Sequence, residues 1–425
     1  MPTTPSFLKA DMSADSLKRL FAGRKPSAEK SRSRSRSRAA TTVVGLDIQP
    51  GYVTAVQVRV NGSISVQRAV GAPLPPDTVR EGEVIDGQAL SQTLRELFAG
   101  ARLDRRVRVG VANQRTVLRT LDLPPISDGK ELATAVRFQA EDQIPMPLDS
   151  AVLDYQIVGE VQTPSGTRQR VIVVAAQKEM VERLLAAVRG AGLRPEGIDL
   201  SAFALIRSLH RDDEQHAGRV LYLNVGGLTN MAIAEGTACR FTRVASGGLE
   251  SMATHVAERN GIPLERAREL LAAVDLGTPA GGATLAQGED PTPVDELDAQ
   301  ADAGDAPPQG ASDADAPTES FDEPNRPEPE IDVRPVLLAG VREIAGEVRN
   351  SLDFHRSQEG GGEVASVVLS GAALQIAGFA DALRSELSVP VHTQVVDLGD
   401  PAASASVSAE RLAVAAGLAV EEAPR

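Results

Sequence analysis

Tryptophan is absent from this chain of 425 residues, and aromatics make up only 3% of it. The cores must therefore be built from Leu, Val, Ile and Ala. Cysteine occurs once, at Cys239, which excludes an intramolecular disulfide framework and suits a reducing cytoplasm. It lies in a strand-like run with no metal or nucleophile constellation around it, so it reads as a buried structural residue. No apolar stretch approaches the roughly 20 residues that a membrane helix needs. The N-terminus lacks the continuous apolar segment of a secretory signal.

Charge is unevenly distributed, with the imbalance concentrated in two stretches. The net charge is −14, but residues 1–40 carry +7 and residues 277–333 carry −14. The first stretch includes SRSRSRSR at 31–38, with no aromatic interleaved for base stacking, and reads as a disordered basic tether. A short amphipathic pattern near Leu17, Leu20 and Phe21 reads as part of that tail rather than as a membrane-surface helix. The second is rich in Asp, Glu, Pro, Ala and Gly, loses all periodicity, and reads as a disordered acidic insertion. Acidity overall argues against a general nucleic-acid role.

What is present is a pattern that occurs twice. Residues 219–248 give an apolar strand from Val220 to Val225, a Gly226-Gly227 turn, and a strand from Thr229 to Ala234. A Glu235-Gly236 turn and a strand from Cys239 to Ala245 follow, and Gly247-Gly248 opens a helix with Leu249, Met252, Ala253 and Val256 on one face. Alone this is an ordinary meander before a helix. Residues 42–70 repeat it: a strand ending in Leu46-Asp47-Ile48, a turn with Pro50 and Gly51, a strand from Val53 to Val60, an Asn61-Gly62 hairpin signal, and a strand from Ile64 to Val70. Two such hairpins facing across a cleft can present turn N–H groups to phosphate.

Further elements fill both halves. Leu90, Leu94, Leu97 and Phe98 line a helix ended by Gly100, and Val107 to Val111 is a short buried strand. Residues 115–190 read as a βαββα-like inserted subdomain, with Asp128 and Glu131 capping a helix and Gly190 closing the last one. Leu264 to Val274 is a helix face after Pro263, and a long helix runs from Pro335 through Leu352. Val364 to Leu369 is a strand, Phe379 to Leu387 line a helix, Pro390 to Val396 form a strand, and an Ala-rich helix starts at Ser408. The expected organisation is α/β: a tail at 1–40, a first domain at 41–216, and a second at 217–420 whose last segments return toward the first.

Several runs carry a family resemblance: VVGLDI, LPPDTVREGEVID, VRFQAEDQIPMPLDSAVLDYQIV, GLRPEGIDLSAFAL, SGGLESMATHVAERNGIPLERAREL, VRNSLDFH and VAAGLA. Over residues 42–276 and 335–420 the chain resembles the type IV pilus assembly protein PilM family, relatives of FtsA in the actin-like ATPase superfamily. The resemblance implies an actin-like two-domain fold with a small inserted subdomain. It also implies a nucleotide site at Asp47, Gln49, Gly51, Asn224, Gly226, Gly227, Thr229, Gly247, Gly248, Arg268, Gly371 and Ala372, for ATP with magnesium.

The motifs depart from the family's in each nucleotide-contacting segment. Gln49-Pro50 stands where small residues let backbone approach phosphate, and Pro50 has no N–H to donate. Asn224 replaces an Asp that holds a magnesium-bound water, Gly371-Ala372-Ala373 replaces three glycines, and Leu271 replaces a Lys. ATP and magnesium binding is therefore expected to be weak or absent, and no catalytic residue is assigned. Hairpin glycines and Asp47 also have purely structural explanations, since turns need positive φ and Asp accepts turn amides.

By the same resemblance the chain is a cytoplasmic scaffold at the inner face of the plasma membrane. Its partner is the cytoplasmic tail of a bitopic, PilN-like pilus protein, with pilus motor ATPases as further partners and no nucleic acid. The tail is expected between the first domain and the inserted subdomain, near Ile144, Pro145, Met146, Pro147, Leu148 and Tyr155. The alternative is an active actin-like ATPase of pilus biogenesis or cell division. An FtsA-like protein carries a basic amphipathic helix at its C-terminus, where this chain ends AVEEAPR.

Overall fold

β-Branched and apolar residues in unbroken runs form the central strands, and the computed structural model describes them within residues 43–60, 64–164, 166–277, 331–358, 360–398 and 407–420. The basic tail, the Asn61-Gly62 hairpin, nearly all of the acidic insertion and the C-terminal EEAPR lie outside the described residues.

The first half opens with β1 (Val44–Gln49), β2 (Tyr52–Val60) and β3 (Ile64–Pro73), followed by the small pair β4 (Val79–Arg80) and β5 (Glu83–Val84). Helix α1 (Gly87–Ala101) starts because the Asp86 carboxylate accepts from the N–H groups of Gln88 and Ala89. It buries Leu90, Leu94 and Phe98, each worth about 1.5–3 kcal/mol relative to exposure. The helix does not end at Gly100: it runs one residue further and stops on Arg102, held left-handed at φ +50°.

Next come β6 (Arg106–Val111), β7 (Val117–Leu123), α2 (Gly129–Gln143), β8 (Ala151–Thr163), β9 (Gly166–Gln177), α3 (Lys178–Gly190), β10 (Arg194–Leu200) and α4 (Ser201–Leu209). The main sheet has the order β10-β6-β1-β2-β3, with the meander antiparallel and β6 and β10 parallel to β1. The inserted sheet has the order β7-β9-β8, covered by α2 through Leu132, Val136 and Ala140. The expected boundary at residue 190 needs correction. Met180, Val181, Leu184, Leu185 and Val188 of α3 pack with Leu90 and Leu94 of α1 in the core of the first half. The inserted piece is therefore β7 to β9; helical periodicity shows an apolar face but not which sheet it covers.

The second half repeats the plan. β11 (Arg219–Val225), β12 (Thr229–Glu235) and β13 (Ala238–Ala245) form the meander, followed by α5 (Leu249–Asn260), α6 (Leu264–Ala273), α7 (Arg334–Ser357), β14 (Ser366–Ser370), α8 (Phe379–Glu386), β15 (Val391–Thr393) and α9 (Ala413–Leu418). The sheet order is β13-β12-β11-β14-β15, again three antiparallel strands with two parallel ones beyond. Cys239 is buried, its thiol pushed up to about 12 by desolvation. β14 starts at Ser366 rather than Val364, and β15 is shorter than the Pro390–Val396 expectation. A 3-10 turn at Ala409–Arg411 precedes the last helix, and Leu352 is only half-buried on α7.

Two short helices join the halves. Phe203, Leu205, Ile206 and Leu209 of α4 and Val414 and Leu418 of α9 share one core with Val56 and Val66 of the first sheet and Tyr222 and Ala232 of the second. Gly417 lets α9 approach α4, since a Cβ there would lie 1.8 Å from the Ala204 carbonyl oxygen.

Candidate functional site

The β1–β2 turn and the β11–β12 turn are in direct contact. Gln49, the last residue of β1, bridges them: its Nε2 donates to Asp47 Oδ2 at 2.7 Å, and the Gly227 N–H donates to its Oε1 at 3.0 Å. A Cβ at Gly226 would come within 2.2 Å of Gln49 Oε1, and one at Gly227 within 2.2 Å of the Pro50 carbonyl oxygen. The glycine pair is thus required by the approach of the other turn. Asp47 is buried, and desolvation pushes its carboxyl up to about 6 against the opposing Gln49 hydrogen bond.

Beside them, Asn224 Nδ2 donates to Ser370 Oγ at 3.1 Å, tying the ends of β11 and β14. Asp47, Gln49, Asn224, Gly226, Gly371 and Ala372 line one gap together with Tyr52, Thr54 and Arg411. The last three were not anticipated. Arg411 lies over the Tyr52 ring, 4.2 Å from its centroid, a contact between distant parts of the chain that local pattern does not encode.

The other expected residues lie apart from this gap. Gly51 holds φ +79°, and a Cβ on it would meet the Glu250 carboxylate at 2.4 Å. Arg268 is paired with that Glu250 and donates to the Leu74 carbonyl oxygen at 3.3 Å, so it ties the halves together rather than facing the gap. Gly248 packs on the Gly227 carbonyl, Thr229 is fully buried on β12, and Gly247 lines a separate polar cavity of about 480 Å³ with Asn113, Asn230 and Glu343.

The gap holds about 20 Å³, on the order of one water. Of its lining residues Asp47 is the one carboxylate, and it is engaged by Gln49. A triphosphate and its magnesium do not fit between the turns as they stand.

The expected partner residues also divide. Ile144 and Leu148 belong to the core of the inserted sheet with Leu121, Val136 and Val171, so they support the turn from below and are not free to meet a peptide. Along this run alternate side chains point inward. Pro145 and Pro147 are exposed and Met146 half-buried. Tyr155 is half-buried on β8, an edge strand, and its hydroxyl donates to the Gly129 carbonyl oxygen at 3.4 Å. A narrow apolar gap at the junction of the two sheets is lined by Val111 and Ile198 on one side and Val152, Val174 and Ala176 on the other, with Asp154 and Asp199 at its edge. Sequence reasoning missed it, because each valine reads as ordinary strand core.

The chain is similar to several proteins of known structure. A PilM–PilN type IV pilus biogenesis complex matches at 24% identity and a TM-score of 0.66, covering 89% of this chain and 98% of that one. Ethanolamine utilization protein EutJ from Carboxydothermus hydrogenoformans matches at 14% identity and a TM-score of 0.44, covering 89% of each chain. MreB5 of Spiroplasma citri bound to ADP matches at 10% and 0.43, covering 89% of this chain and 95% of that one. Residues 45–279, more than half of the sequence, match the family described as type IV pilus assembly protein PilM. With an actin-like fold built on two repeated sheets and joined by α4 and α9, the chain belongs to the type IV pilus assembly protein PilM family.

Proposed function

We propose that this chain is a cytoplasmic scaffold of a type IV pilus machine, held at the inner face of the plasma membrane by the tail of a PilN-like bitopic protein. The observation that carries this reading is the junction of the two sheets in the first half. There an apolar gap between Val111 and Ile198 and Val152 and Val174 adjoins the β8 edge strand. An extended tail supplies main-chain groups that could add to the β8 edge, and the gap beside it, about 20 Å³ as it stands, would have to widen to take an apolar side chain. The similarity to the PilM–PilN complex supports the same class of partner. The scaffold links that anchor to cytoplasmic motor ATPases, and its role needs no nucleotide turnover.

Titration calorimetry of the full chain with a synthetic tail of the membrane partner tests this. Binding in the micromolar-to-nanomolar range is expected. It should be lost when Val117–Gln177 is replaced by a short Gly/Ser linker in a chain that circular dichroism shows to be folded. Undiminished binding by that variant places the groove elsewhere.

A further inference from the structure

In an actin-like fold the phosphates of a bound nucleotide lie between two hairpin turns and accept hydrogen bonds from turn amides. Here both turns are already joined by a side chain of the protein, through Gln49 to Asp47 at 2.7 Å and from Gly227 N–H to Gln49 at 3.0 Å. We propose that Gln49 is a built-in substitute for the nucleotide phosphate, latching the two halves closed so that the scaffold works without ATP.

Three observations carry this. First, an amide serves both neighbours at once: its oxygen takes the turn N–H as a phosphate oxygen does, and its NH2 gives buried Asp47 a donor. Second, the glycines of the second turn are accounted for by the latch, since a Cβ at Gly226 would reach Gln49 Oε1 and one at Gly227 the Pro50 carbonyl oxygen, each at 2.2 Å. Third, the closure extends outward. Arg268, paired with Glu250 of α5, donates to Leu74 in the first half, and Glu250 meets the turn at Gly51. An open nucleotide site has no reason to be braced from both sides in this way. A ligand phosphate would have to displace Gln49 and strip Asp47 of its donor, leaving two negative groups adjacent.

The test uses the full-length wild-type chain and Gln49→Ala, by thermal melting and amide hydrogen exchange. In the wild type, millimolar ATP with magnesium should move the melting temperature by less than about 2 °C, well under what a site filled a hundredfold over its dissociation constant produces. The Gly227 amide should be protected to the same degree with and without nucleotide. In Gln49→Ala, exchange at Gly227 should rise by about tenfold, the factor carried by one hydrogen bond. Stabilisation of the wild type by ATP, or unchanged Gly227 exchange in Gln49→Ala, overturns the latch. If Gln49→Ala does not fold, the wild-type measurements decide alone. Tail binding by nucleotide-free wild type is read separately, so failure of the scaffold reading and failure of the latch are distinguishable.

Discussion

Arg207 and Asp199 form an ion pair with neither side chain exposed, at the point where α4 meets the end of β10. Arg207 Nε also donates to the Gly417 carbonyl oxygen at 3.1 Å, and Arg108 donates to those of Leu418 and Val420 at 3.0 and 2.9 Å. Two guanidinium groups thereby satisfy the last carbonyls of α9, where positive charge is favoured. The cluster joins the first sheet to the shared core. Replacing one member leaves the other as an uncompensated buried charge, so Asp199→Ala should cost about 3–5 kcal/mol in urea unfolding. The double variant Asp199→Ala/Arg207→Met should cost less than the sum of the singles. Additive losses would show that the two side chains act independently.

Asp47 gives the fold a pH dependence. Burial raises its carboxyl to about 6. The folded state therefore holds this proton more tightly than the unfolded chain, and the associated stability is present in acid and lost as pH rises through about 6. The shift corresponds to about 3 kcal/mol across the window from about pH 4 to 6. Asp47→Asn should match wild type near the acid end of that window. Above it the variant should be more stable by up to about 3 kcal/mol. Parallel stability curves for the two proteins across this range would show that Asp47 titrates at its ordinary value.

The two ends of the acidic segment are tied to each other by described residues. Arg334 donates to the Leu276 carbonyl oxygen at 2.8 Å, and the Leu276 N–H donates to the Ala377 carbonyl oxygen at 2.8 Å. With the ends held, closure entropy varies only slowly with the length between them. Replacing residues 280–330 by a short Gly/Ser linker should therefore leave the melting temperature nearly unchanged. A drop of more than about 5 °C in a melting experiment would show that the segment contributes to packing.

The strands of both meanders, and the turns at Pro50-Gly51, Gly226-Gly227 and Glu235-Gly236, were legible because their signals are local: apolar runs of strand length bounded by Gly, Pro and Asp. The oddity of Gln49-Pro50 was legible too, as bulk where small residues are expected. What Gln49 touches was not, since Gly227 reaches it only through tertiary closure. The same reason hid Arg411, which meets Tyr52 from the other end of the sequence. Ile144 and Leu148 were expected beside a docked tail, but an apolar side chain in a turn serves a core as readily as a partner, and these two complete the core under α2. Helix α3 misled differently: its 3.6-residue period is the same whichever sheet it covers.

Hydrolysis in this fold requires magnesium, a positioned water and close backbone contact with the phosphates. Asn224 carries no charge to hold the metal, and its amide is committed to Ser370 at 3.1 Å. Asn224→Asp restores the charge but faces two obstacles. It places a second carboxylate on the gap that Asp47 already lines, and like charges raise each other's pKa. It also leaves Gln49 bridging to Gly227 and Pro50 without an N–H to offer. Wild type and Asn224→Asp should both release phosphate from ATP no faster than a protein-free control in a steady-state assay. Hydrolysis by the wild type that Asp47→Ala abolishes would instead establish an active ATPase, and would require the two turns to open by enough to expel Gln49.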